Sequence, residues 1–160
     1  MRALDGILVM RRSILIRATP ERIWQEFESE ERMSCWFGGA EPTFQQRVTR
    51  YEPGTGGWFE IEAEWTHDKP GSCRLGGKIV AYDPPREMTV EWNSFHPVYD
   101  WSEPTLVTIR LTPALGGTLV EILQHGFERV GEGGVKYHRD AEGGWNLLEL
   151  DALRRIVEGA

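Results

Sequence analysis

Cysteine is scarce in this chain, with Cys35 and Cys73 the whole supply. Two cysteines exclude the disulfide framework of small secreted domains. With His67 the nearest histidine in sequence, they also lack a zinc spacing, and both are expected as buried free thiols. Positive charge is in the minority, 18 basic side chains against 25 acidic ones, for a net charge of −7. That sign opposes a phosphate backbone, and neither Arg47 with Arg50 nor Arg154 with Arg155 builds a basic face, so nucleic acid is not an expected partner. No apolar run approaches the ~20 residues of a membrane-spanning helix. The segment Met1 to Gly6 lacks a basic start, apolar core and small-residue cleavage site, so a cytoplasmic protein without a membrane partner is expected.

Chemical motifs are missing too. No serine sits in a Gly-x-Ser-x-Gly elbow, and no histidine in a His-Glu-x-x-His pattern. The glycine pairs at 38–39, 56–57, 76–77, 116–117, 133–134 and 143–144 do not form a strand-to-helix phosphate cradle. They read as turns, bulges and close packing sites. Neither a metal nor an organic cofactor is expected. His138 and Glu142 are four apart and could share a metal with a third ligand, but a pair stabilising a helix is the plainer reading.

What the sequence does contain is periodicity. Its 160 residues suit one domain, 1–160. A first strand is expected over Leu8 to Ala18. Thr19 caps a short helix that starts at Pro20 and carries Ile23, Trp24 and Phe27 on one face. Ser29 caps a second helix through Met33, Cys35 and Trp36, stopped by Gly38-Gly39. From Thr43 the period becomes two. Phe59, Ile61, Ala63 and Trp65 share a dry face, as do Gly77, Ile79 and Ala81, then Met88, Val90 and Trp92. Val107, Ile109 and Leu111, then Val120, Ile122 and Gln124, continue it. Turns without helical crossovers make the sheet antiparallel.

A terminal helix is predicted over roughly Val135 to Glu158, about 36 Å long. Tyr137, Ala141, Gly144, Trp145, Leu148, Ala152 and Ile156 fall within one arc. A second apolar set, Leu147, Leu150, Leu153 and Val157, lies opposite. It implies either a homodimer contact or cover by loops or the N-terminal segment. The aromatic-rich connection from Ser94 to Pro104, with Trp101, reads as a lid or as a hairpin tip packed on itself.

The expected class is α+β: a curved antiparallel sheet of about six to seven strands gripping one long C-terminal helix. Trp36, Phe37, Phe59, Trp65, Met88, Trp92 and Trp145 belong to the inferred inward faces. Arg74, Gln124, Tyr137 and His138 are candidate polar anchors beside them. Rings can simply fill a core, yet several indole N–H donors must find acceptors, and a ligand or water could supply them. His125 alternates with Leu119, Glu121 and Leu123, away from the Gln124 face. It would act as a general base only if it faced the cavity.

The order of elements resembles the START-like (SRPBCC, helix-grip) superfamily. Within it the chain is similar to the family of the C-terminal domain of the activator of heat-shock-protein-90 ATPase. The likeness rests on Ile16 with Ala18-Thr19-Pro20-Glu21-Arg22-Ile23-Trp24, then Trp36-Phe37, Gly77-Lys78-Ile79, Asp83-Pro84-Pro85-Arg86 and Glu91-Trp92. Val107 to Leu111 before Gly117-Thr118, and Gly144-Trp145, complete it. One departure is Gln124-His125 before Gly126, where similar proteins often place a histidine two residues before the glycine. The resemblance implies a small hydrophobic ligand held between sheet and helix by Trp36, Phe37, Phe59, Trp65, Met88 and Trp92, with Trp101, Ala141, Trp145 and the four polar anchors. It equally implies two other classes: an enzyme of the cyclase or hydrolase type using the same cavity, or a chaperone-type protein-binding module connected with stress response. A cavity carboxylate or histidine with a shifted titration would favour the enzyme.

Overall fold

In the computed structural model, residues 8–37, 40–41, 44–65, 71–94, 103–134, 138–139 and 148–159 are described. Strand β1 (Met10–Ile16) leads into helix α1 (Pro20–Trp24), a 3-10 turn (Gln25–Phe27) and helix α2 (Glu30–Phe37). Strands β2 (Ala40–Glu41), β3 (Phe44–Glu52), β4 (Trp58–Trp65), β5 (Gly71–Asp83), β6 (Glu87–Ser94), β7 (Thr105–Ala114) and β8 (Gly117–His125) follow. A 3-10 segment (Phe127–Gly133) and helix α3 (Leu148–Glu158) complete the described chain. The strands form one antiparallel sheet in the order β1-β8-β7-β6-β5-β4-β3-β2. Its eighth strand is the two-residue β2, too short to carry a period in the sequence.

The helix starts follow from their caps. Thr19 Oγ1 accepts from the Arg22 N–H at 3.2 Å, with Pro20 at the first helical position. Ser29 Oγ accepts from the Arg32 N–H at 3.1 Å, and Glu30 and Glu31 oppose the positive end of α2. Both helices turn their apolar faces to the sheet. Ile23, Phe27, Met33, Trp36 and Phe37 are fully buried there, against Phe59, Ile79, Met88, Trp92 and Ile109. Helix α3 packs on α2 and β1.

Strand β5 departs from simple alternation. The pairing of β5 with β6 shifts between Ile79 and Ala81, so Ala81 turns out and Tyr82 packs on the core. The sequence pattern put Ala81 on the dry face, and a one-residue bulge reverses it. Where β5 crosses β4, Gly76 has φ +128°, and a Cβ there would lie 2.1 Å from the Phe59 carbonyl oxygen. Only glycine allows this approach, in line with the reading of that pair as a close packing site.

Two further expectations are corrected. Leu150 and Leu153, read as either a homodimer contact or a face covered by loops or the N-terminal segment, are fully buried in the core itself, while Ile156 of the opposite set is exposed. Apolar residues lie on both sides of this helix, so periodicity left its phase open, and the two leucines took the interior. Cys35 is exposed rather than buried, although Cys73 is partly covered and its thiol is pushed up by burial. The predicted helix start at Val135 and the glycine pair 143–144 lie outside the described residues. So do the connection 95–102 and Leu147.

Candidate functional site

The inner face of the sheet carries a continuous line of rings. Trp24 stacks on Phe27 at 4.5 Å, and Phe27 meets Trp36 at 5.2 Å. Trp36 meets Phe37 at 5.2 Å and Phe37 meets Phe59 edge-on at 5.0 Å. Phe59 then touches Tyr51 at 5.4 Å and Trp92 at 6.0 Å. Such edge-to-face pairs add about 0.5–1.5 kcal/mol each beyond their burial. The structure therefore brings Trp36, Phe37, Phe59, Met88 and Trp92 together, each at most 1% exposed. Two polar groups in this cluster are met by backbone carbonyls. The Trp36 indole donates to the Glu26 carbonyl at 3.1 Å, and the Tyr51 hydroxyl donates to the Phe27 carbonyl at 2.7 Å, its pKa raised by burial.

Gln124 extends this interior at the end of β8. It is fully buried and its Nε2 donates to Thr105 Oγ1 at 3.0 Å, which in turn donates to the Trp92 carbonyl at 3.2 Å. Arg74 is not part of the cluster. It sits on the outer face, opposite Glu62 of β4, and is exposed. His138 lies at the edge, its Nε2 3.1 Å from the Val9 carbonyl oxygen and its ring edge-on to Phe127 at 5.1 Å. The side chain of Trp65, and Trp101, Tyr137, Ala141 and Trp145 altogether, lie outside the described residues, as does Glu142.

Sequence reasoning missed Glu149. It occupies the first turn of α3 and is only 4% exposed. Gln46 on β3 donates through Nε2 both to the Phe37 carbonyl at 2.7 Å and to Glu149 Oε1 at 2.8 Å, tying β3, α2 and α3 together. Glu149 Oε2 is buried without a hydrogen-bond partner among the described residues. Burial raises the pKa of this carboxyl, and the Gln46 hydrogen bond offsets that only in part. The other buried glutamate among the described residues, Glu26, is different: Arg22 at 2.8 Å and Arg32 at 3.2 Å neutralise it.

A concave site lies on the outer face of the same sheet, with a volume of about 610 Å³. Its floor is a hydrogen-bonded row from three strands. Thr89 Oγ1 is 2.8 Å from Thr108 Oγ1, which is 3.1 Å from His125 Nε2. Leu8, Val9 and Leu123 wall it, and Glu87, Arg110 and Glu128 stand around it. Burial holds the His125 pKa below its ordinary value, against the pull of Glu128. His125 thus faces away from the Gln124 interior, as alternation requires. Among the described residues no three His, Cys, Asp or Glu side chains gather as a metal set, and no helix is long and apolar enough to cross a membrane.

A curved antiparallel sheet closed by a C-terminal helix, with two short helices after β1, defines a helix-grip domain of the SRPBCC superfamily. Residues 17–158 match the family described as "Activator of Hsp90 ATPase homolog 1-like protein", and the chain belongs to that family. Solved structures repeat the fold at low identity. A protein from Mycobacterium smegmatis is 15% identical with a TM-score of 0.69, the match covering 99% of this chain and 96% of that one. One from Chromobacterium violaceum is 18% identical with a TM-score of 0.67, covering 94% and 97%. The Aha1 dimer from Colwellia psychrerythraea is 14% identical with a TM-score of 0.61, covering 94% and 96%. No curated protein matches the sequence.

Proposed function

We propose that the chain is a protein-binding module of the chaperone-activator kind. The observation that carries this reading is the contrast between the two faces of the sheet. On the inner face, Trp36, Phe37, Phe59, Met88 and Trp92 are closed over one another, whereas the outer face keeps an open groove. Membership of a family described as activators of the Hsp90 ATPase supports an Hsp90 as the partner class. The test is the steady-state ATPase rate of an Hsp90 with and without added chain, with co-elution on sizing. A raised rate and a shared peak are expected. An unchanged rate with separate peaks removes the reading.

One observation favours a second reading, a small and largely apolar ligand in the sheet–helix interior. Glu149 Oε2 and the Gln124–Thr105 pair are polar groups set among apolar ones, the form of a ligand site. Trp36, Phe37, Phe59, Met88, Trp92, Gln124 and, at the edge, His138 would contribute from the described residues, with Trp65, Trp101, Tyr137, Ala141 and Trp145 completing the set. Arg74, on the outer face, drops out of it. Native mass spectrometry of gently purified protein tests this: a reproducible adduct that disappears in Glu149→Gln is expected. An adduct of equal intensity in the variant removes Glu149 from the site. A homodimer analogous to the Colwellia structure would appear in the same spectrum, through a surface other than Leu150 and Leu153.

A further inference from the structure

We propose that the outer-face groove binds an extended peptide segment of a partner protein, one carrying basic side chains beside apolar ones. The inference rests on the protein-binding reading and names the surface and the chemistry of its occupant.

Thr89, Thr108 and His125 project from β6, β7 and β8, three strands inside the sheet rather than at its edge. Thr89 pairs across to Thr108, and Thr108 sits diagonally from His125, because its direct partner on β8 is Leu123. The row of 2.8 and 3.1 Å contacts can run in either direction. With the proton on Nδ1, the imidazole accepts from Thr108, Thr108 accepts from Thr89, and the Thr89 oxygen presents lone pairs. With the proton on Nε2, every bond reverses, Thr89 becomes the donor, and Nδ1 the acceptor. The floor therefore offers one donor and one acceptor at its two ends, interchangeably. A peptide group, with one N–H and one C=O, has that pairing.

The surroundings decide the side chains. Glu87 and Glu128 contribute two carboxylates to the groove against the single guanidinium of Arg110. Arg110 Nε already engages Glu87 at 3.1 Å. The lowered His125 pKa keeps the ring neutral at pH 7, so the histidine adds no positive charge. Arg129 also bears on the ring, but it is engaged by Glu103 at 3.2 Å. Three carboxylates thus stand against two guanidiniums and the local balance stays negative, as is the chain's net charge of −7, which favours a cationic partner and steers its approach. Leu8, Val9 and Leu123 give an apolar wall for alternate side chains of an extended segment.

The test titrates the full chain with a capped hexapeptide alternating lysine and leucine, and with its glutamate-for-lysine counterpart, by calorimetry and amide chemical shifts. The lysine peptide is expected to bind, with shifts confined to β6, β7, β8 and the Phe127–Gly133 segment. Thr89→Val combined with Thr108→Val, checked for native melting, should weaken it about tenfold, the effect of one to two lost hydrogen bonds. Glu128→Arg should weaken it while leaving the fold unchanged, and the glutamate peptide should not bind. Absence of lysine-peptide binding to the folded chain overturns the proposal. So does equal binding of both peptides, or hexylamine competing at the same concentration as the peptide. Binding that emerges only after deletion of residues 1–7 overturns it in favour of the chain's own segment. If Hsp90 stimulation survives in the Thr89/Thr108 variant, the groove is wrong and the protein-binding reading stands; if wild-type stimulation is absent, that reading fails whatever the peptide does.

Discussion

Replacing Glu149 by glutamine should stabilise the protein at neutral pH and leave it unchanged below about pH 4.5. The carboxyl is 4% exposed, its Oε2 has no partner among the described residues, and burial raises its pKa above the ordinary 4.5. Below pH 4.5 both folded and unfolded chains hold the proton, and the residue contributes its full share of stability. As pH rises, the unfolded chain ionises first, and that share is lost through the folded pKa. Glutamine keeps the shape and the oxygen that accepts from Gln46, but cannot ionise. The gain at pH 7 should be about 1–3 kcal/mol, the extra penalty of an ionised over a neutral group buried without a partner, since the amide nitrogen inherits the same unpartnered place. For a domain of this size that is roughly 2–4 °C in Tm per kcal/mol. Paired thermal melts at pH 4 and pH 7 read it out. An equal gain at both pH values, or a loss at pH 7, refutes the reasoning. A stabilising substitution at a buried carboxyl also marks the native residue as one held against the interest of stability, which is how functional groups behave.

Phe59→Ala removes the ring that joins Phe37, Tyr51 and Trp92, and should cost about 3–5 kcal/mol in urea denaturation; a loss below 1 kcal/mol would mean the line of rings is not cooperative. Gly76→Ala, at φ +128° and 2.1 Å from the Phe59 carbonyl, should destabilise by at least the ~1–3 kcal/mol of a strained backbone, read from the same melts. Trp36→Phe should lose about 1 kcal/mol with the indole bond to the Glu26 carbonyl, and an unchanged midpoint would show that another donor replaces it. His125 has its folded pKa below 6.5, so its contribution is intact above pH 6.5 and is lost as pH falls through the folded value, where the unfolded chain has already taken the proton. His125→Gln should flatten that part of the stability–pH curve, and an unaltered slope would place the ring in free solvent.

Much of the frame was legible because short-range rules govern it. Thr19 and Ser29 cap helices by side-chain contacts three residues ahead, and Met88, Val90 and Trp92 alternate inward without interruption. The features that escaped depend on distance. Nothing local marks the bulge that exchanges Ala81 for Tyr82, or decides which apolar stripe of the terminal helix turns inward. Glu149 in a first helical turn reads as a partner of the helix dipole, and only the phase of α3 reveals its burial. The outward placement of Thr89, Thr108 and His125 follows from alternation. Their meeting requires the register of three strands at once, which a sequence does not display.

The sheet order has a consequence for the chain's birth. β1, the first strand made, pairs with β8, the last, Met10 lying opposite Gln124 and Ile16 opposite Thr118. The Arg17 N–H closes the same seam by donating to Glu158 Oε2 at 2.8 Å. While a ribosome extends the chain, β1 has an open edge until about a hundred further residues have emerged, whereas β3 to β8 pair with neighbours as they appear. The closing strand pairing is thus the one of greatest sequence separation in the described sheet, the kind that slows folding and leaves nascent chains exposed to aggregation. Chain arrest just before Gly117 would leave a sheet with its first strand stranded, and that is where a nascent form of this protein should most need help.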